Sequence, residues 1–189
     1  MEKKMLIFMP LGLGLIILFY FVIYSSNKNN EKLVLGDEWA ILLQHKSDFE
    51  DASSVPHISF DSLKFQGSKS ALMAKDMKFG PTFESDSLSL IQQTNKVDVQ
   101  CQLYAPSFLT GVEVVFSLEN EKGPLLWKSS ALGDSVKAGE WFPVNASFPI
   151  EEGLTEGSTK LILKVYLINN KGEEFYMDDF SVALLGSNN

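Results

Sequence analysis

Two histidines, one cysteine and a surplus of carboxylates make up the reactive inventory of this chain. His45 and His57 stand twelve apart, not at the i, i+4 spacing by which an HExxH helix offers two imidazoles to zinc. There is no GxSxG turn to expose a nucleophilic serine and no glycine-rich loop to cradle a phosphate. Carboxylates abound, yet an acid pair for glycoside hydrolysis is defined by its separation in space, which no spacing here supplies. Cys101 lies in Val97-Asp98-Val99-Gln100-Cys101-Gln102-Leu103, where apolar and polar residues alternate strictly, so it belongs to the apolar face. A thiol buried there without a cation beside it is inert. The chain reads as a non-enzyme. It also has no arginine and a net charge of −8, which argues against nucleic acid or phosphate head groups as partners. What remains is the chemistry of recognition.

The stretch Met5–Tyr24 (MLIFMPLGLGLIILFYFVIY) is uncharged, and as a helix it spans roughly 30 Å, the thickness of a bilayer core. It reads as a single transmembrane helix and hence as a lipid-bilayer contact. A cleaved secretory signal is the competing reading. The run exceeds the usual apolar core of a signal, and bulky Val22-Ile23-Tyr24 stands where a peptidase wants small residues. Both points favour an uncleaved anchor. Lys3 and Lys4 precede it, so residues 1–4 form a short cytoplasmic tail and the rest is extracytoplasmic. The expected location is a cell (inner) membrane. Residues 25–32 (SSNKNNEK) are a polar linker, and 33–189 are long enough for one ordinary domain. A domain of this size with no disulfide and no lipid-attachment cysteine suits a bacterial envelope.

Strand and turn dominate that domain. Trp39 falls with Leu35, Leu42 and Leu43 at i, i+4, i+7 and i+8, compatible with a short amphipathic helix or with an opening strand. Ser70 to Ala74, Val97 to Ala105, Gly111 to Glu119, Leu125 to Ser129, Trp141 to Phe148, Lys160 to Asn169 and Phe175 to Leu185 read as strands. Asn169-Asn170-Lys171-Gly172 predicts a hairpin between the last two. Seven or more short strands with almost no helical periodicity predict an all-β antiparallel sandwich.

Five pieces stand in a telling order: Ser47-Asp48-Phe49-Glu50-Asp51; Gln66-Gly67-Ser68-Lys69-Ser70; Glu140-Trp141-Phe142-Pro143-Val144 with Phe148-Pro149; Leu163-Lys164-Val165-Tyr166-Leu167-Ile168-Asn169; and Phe175-Tyr176-Met177-Asp178-Asp179-Phe180-Ser181-Val182. Their order and spacing resemble the jelly-roll domains of the galactose-binding-like superfamily, especially carbohydrate-binding modules, over residues 47–185. The loop departs from the commoner pattern in having Gln66-Gly67 where Ser-Gly is usual. The resemblance implies a structural Ca²⁺ held by the side chains of Glu50 and Asp178 and by backbone oxygen of Gly67 or Ser68. Calcium takes six to eight hard oxygens, which such carboxylates suit. It also implies a glycan or cell-wall polysaccharide ligand. A sugar's C–H face packs on an exposed ring, and Trp39, Trp127 and Tyr166 are the candidate ligand-binding residues. Trp141 matches a structural position and is expected in the core. The expected function is a membrane-anchored, non-catalytic binding module; the alternative is a structural or protein-interaction subunit of an envelope complex.

Overall fold

Alternation of apolar and polar residues with period two is the rule along this chain, and it produces strands that bury one face. The computed structural model describes residues 38–50, 59–60, 62–132 and 136–188. The Met5–Tyr24 segment and the 25–32 linker lie outside them. Among the described residues no helix is long and apolar enough to cross a membrane.

The described residues form ten strands and one short helix, in order β1 (Trp39–Ser47), β2 (Ser59–Phe60), β3 (Ser70–Met73), β4 (Phe79–Ser85), α1 (Leu88–Gln93), β5 (Lys96–Tyr104), β6 (Val112–Asn120), β7 (Gly123–Ala131), β8 (Trp141–Pro149), β9 (Leu161–Asn169) and β10 (Phe175–Ser187). They form two sheets whose ladders are all antiparallel. The larger runs β2-β3-β10-β5-β8, with β1 also on β10, and the smaller runs β4-β9-β6-β7. This is a β-sandwich of jelly-roll type, and the segment that allowed a helix at Trp39 is a strand.

Between the sheets lie Val97, Val99, Cys101 and Leu103 of β5, Val114, Phe116 and Leu118 of β6, and Leu163, Val165 and Leu167 of β9. Burial pushes the Cys101 thiol up to about 12, so it stays protonated and unreactive. Two features escape the periodicity. β4 contains Gly80-Pro81, which reads as a break, yet it is an edge strand, where a proline loses no ladder bond. α1 is a six-residue helix that drops Ile91 into the core between β4 and β5.

The predicted hairpin at 169–172 is not one. β9 belongs to the smaller sheet and β10 to the larger, so this turn carries the chain from layer to layer. Asn169 explains the geometry. Its buried amide donates to the carbonyls of Met77 (3.3 Å) and Glu173 (2.8 Å) and accepts from the Glu173 N–H (2.9 Å). Gly172 has φ +64°, and a Cβ there would meet the Lys75 carbonyl oxygen at 2.7 Å. The true hairpin is β6–β7, closed around Glu121 and Lys122.

His45 sits where β1 faces the smaller sheet, its ring 5.2 Å from that of Phe83 and 6.5 Å from that of Phe180. Burial lowers its pKa below 6.5. The unfolded chain therefore takes up the proton first, and the neutral ring's contribution is complete above pH 6.5 and lost as pH falls below it. Urea melts should show wild type losing more stability than His45→Gln between pH 7.5 and 5.5; parallel pH curves would refute this contact.

Candidate functional site

The outer face of the larger sheet is set by the same alternation that fills its inner face. Leu103, Phe142, Phe175 and Met177 point into the core, so Tyr104, Trp141 and Tyr176 point out. Register then brings these three together, since Tyr176 stands opposite Tyr104 and Tyr104 opposite Trp141. Ring centroids are 6.1 Å apart for Tyr104 and Tyr176, and 5.8 Å for Tyr104 and Trp141. Phe65, 40% exposed and carried by the loop before β3, leans on Trp141 at 5.7 Å and adds a fourth ring to the face. Burial, followed by the Glu174 charge, raises the Tyr176 pKa above that of an ordinary phenol, so its hydroxyl remains protonated.

A polar stripe lies beside the rings. Gln102 pairs with Pro143 and Gln100 with Asn145 on the same face. The amides of Gln100, Gln102 and Asn145 have no hydrogen-bond partner among the described residues. Farther along, Asp98 is already committed, to Lys96 at 3.0 Å and to the Ser147 hydroxyl at 2.6 Å. A row of rings flanked by spare amides suits a ligand with an apolar face and hydroxyl edges.

The candidates expected from sequence are not gathered into one platform. Trp127 and Tyr166 lie on the outer face of the smaller sheet, opposite Ser117 and Val115 respectively. Trp127 is 55% exposed, and Tyr166 meets the edge of Phe79 at 5.8 Å. Trp39 is on the larger sheet near the end of β10, donating to Glu38 at 3.0 Å with the Lys96 ammonium 5.4 Å from its ring. Trp141, expected in the core, is half-buried on the outer face, because its neighbour Phe142 takes the inward position.

Glu50 and Asp178 do meet, through a shared loop. β10 changes neighbour midway, pairing with β3 over Phe175–Met177 and with β1 from Phe180 onward. Its register against β5 slips between Asp178 and Ser181, a bulge whose Asp179 has φ +49°. Asp178 is buried in that gap. Its Oδ2 accepts the N–H groups of Phe65 (3.0 Å) and Gln66 (3.2 Å), and Oδ1 accepts that of Asp179 (2.8 Å). Glu50 takes the other end of the loop: Oε1 accepts the N–H of Ser68 (2.5 Å) and of Lys69 (2.9 Å), and Oε2 accepts the Ser68 hydroxyl. These bonds, the Ser68 hydroxyl foremost, bring the Glu50 pKa to about 2. Burial outweighs them at Asp178, whose pKa is raised. Lys69 adds a bond from its ammonium to the Glu50 carbonyl (3.0 Å). The donors around both carboxylates are thus N–H and O–H groups. Calcium needs a cage of oxygens, and among the described residues this arrangement does not supply one.

Gly67, with φ +62°, lets the loop pass close over Glu50, and a Cβ there would overlap the carboxylate. Gly67→Ala should cost about 2 kcal/mol, the strained backbone plus a displaced Glu50. Gly157→Ala, at φ +71° in open space, should cost only about 1 kcal/mol. Equal losses in urea melts would show that the loop does not pack on Glu50.

No protein-family model matches this sequence, and no curated protein matches it. Solved structures do. The CBM22-1 xylan-binding domain of Paenibacillus barcinonensis Xyn10C is 15% identical, with 79% of this chain and 97% of that one covered and a TM-score of 0.47. The CBM22-1-CBM22-2 tandem of the same protein is 14% identical at TM-score 0.49, covering 81% of this chain and 48% of that one. The CBM35 of Cellvibrio japonicus Abf62 is 12% identical at TM-score 0.48, covering 78% and 99%. Likeness at this level assigns no ligand.

Proposed function

We propose that this chain is a membrane-anchored, non-catalytic extracytoplasmic module that binds polysaccharide on the outer face of its larger sheet. The observation that carries the reading is the Tyr176-Tyr104-Trp141-Phe65 row with the unengaged amides of Gln100, Gln102 and Asn145 beside it. Rings that stand side by side on three strands, their planes tilted 54° and 71° to one another, offer apolar contact to successive sugars, and amides offer both donors and acceptors to hydroxyls. The ligand is neutral: there is no arginine in the protein, and a net charge of −8 repels uronates. The anchor rests on sequence alone: the uncharged run Met5–Tyr24 is long enough, as a helix, to span a bilayer core, which supports a module held at a membrane.

The test is affinity electrophoresis of the full chain in mild detergent through gels containing neutral glycans (xylan, galactan, glucan) or an acidic pectate. Retardation in a neutral gel and none in pectate is expected. Free migration in every gel would overturn the reading. A structural or protein-interaction role is favoured by a separate observation, the exposed Phe79 (51%) and Trp127 (55%) on the opposite sheet. Recovery of a stoichiometric protein partner that Trp127→Ala releases would support that role.

A further inference from the structure

The loop that carries Phe65 is tied down at two points, and both ties are carboxylates that the chain itself aims. Phe49, with φ +58°, turns the backbone after β1 so that Glu50 reaches Ser68 and Lys69. The Asp178–Asp179 bulge turns β10 so that Asp178 reaches Phe65 and Gln66. Buried or hydrogen-bonded carboxylates need a counter-charge or several donors. Here five N–H groups and one hydroxyl supply the donors, and the Lys69 ammonium, 3.0 Å from the Glu50 carbonyl, supplies a positive charge. Of these donors, the Phe65 N–H bears directly on the face described above, because the same residue's ring rests on Trp141.

The geometry points to a metal-independent clamp, in which the Lys69 ammonium and the N–H groups of residues 65, 66, 68 and 69 stand where the family resemblance implies calcium, and in which Asp178 positions the Phe65 ring against Trp141. The clamp holds in the free protein. Its consequence for ligand rests on the polysaccharide reading: Asp178 and Glu50 are positioning residues for one wall of the binding face. Loss of the clamp leaves Tyr104 and Tyr176 in place and frees Phe65.

The experiment needs no glycan, so its failure and that of the polysaccharide reading are separate results. In full chain carrying Trp39→Phe and Trp127→Phe, Trp141 is the one remaining tryptophan, and its emission reports the Phe65 contact. Melting temperature and emission are recorded after stripping with EDTA and after adding millimolar CaCl₂. Both should be unchanged by either treatment. Lys69→Met and Asp178→Asn should each lower the melting temperature by about 3 °C or more, and Asp178→Asn should shift Trp141 emission to longer wavelength. A stripped protein that melts several degrees lower and is restored by calcium would overturn the clamp. So would an Asp178→Asn protein whose Trp141 emission matches the parent. If a variant fails to fold, the EDTA and CaCl₂ comparison on the parent decides alone.

Discussion

Phe116→Ala should lower the unfolding free energy by about 4 kcal/mol, the loss typical of deleting a large buried ring from a packed core. Phe116 is fully buried at the middle of β6 and stacks on Phe148 of β8 in the opposing sheet, with centroids 5.7 Å apart and planes at 23°. The pair links inner strand β6 of the smaller sheet to edge strand β8 of the larger, and no other aromatic pair among the described residues is stacked across the two sheets. Its removal therefore opens a cavity between the layers and also cancels a ring–ring contact. A domain of this size is stable by roughly 5–15 kcal/mol, so the variant should keep its fold at room temperature with a much lower urea midpoint. A loss under about 1.5 kcal/mol would mean that the two sheets do not meet at this point.

Trp141→Ala should behave in the opposite way, leaving the fold and removing the binding. Trp141 is half-buried at the outer surface, and its inner neighbours Phe142 and Val144 keep their places. At the centre of a contact face, a tryptophan of this kind contributes about 2 kcal/mol or more, which corresponds to a roughly thirtyfold weaker Kd. Tyr104→Ala should lose a similar amount, since Tyr104 touches both Trp141 and Tyr176. Trp127→Ala, on the other sheet, should leave affinity unchanged. Calorimetric titration with whichever neutral polysaccharide retards the protein reads all three. Full affinity in Trp141→Ala, or a large loss in Trp127→Ala, would move the site to the smaller sheet.

Much of the architecture is legible in the sequence because half-buried strands advertise themselves. The alternation of Val97, Val99, Cys101 and Leu103 names the inner face of β5, and that of Val144, Ala146 and Phe148 does so for β8. The same parity carries the site. If Leu103 and Phe142 are inside, Tyr104 and Trp141 are outside, so the expectation that Trp141 is core conflicts with the alternation of its own strand. What no local pattern gives is register. Residues 104, 141 and 176 become neighbours only through the β5–β8 and β5–β10 ladders, long-range pairings with no short-range signal. Asn169-Asn170-Lys171-Gly172 has the composition of a hairpin turn, yet the change of sheet is fixed by a buried Asn169 amide bonded to Met77 and Glu173. β4 was hidden by Gly80-Pro81, and only its edge position makes the proline tolerable. Glu50 and Asp178 were named by resemblance and share a loop in the structure, but the atoms they hold there are donors.

Hydroxyl-radical footprinting of the full chain, with and without the polysaccharide that retards it, addresses the central claim most directly. Ring oxidation is read residue by residue, and the two faces carry different rings. Protection confined to Phe65, Tyr104, Trp141 and Tyr176, with Trp127, Tyr166 and Phe79 oxidised as before, is the expected result. Protection of Trp127 and Tyr166 with the four unprotected would contradict it.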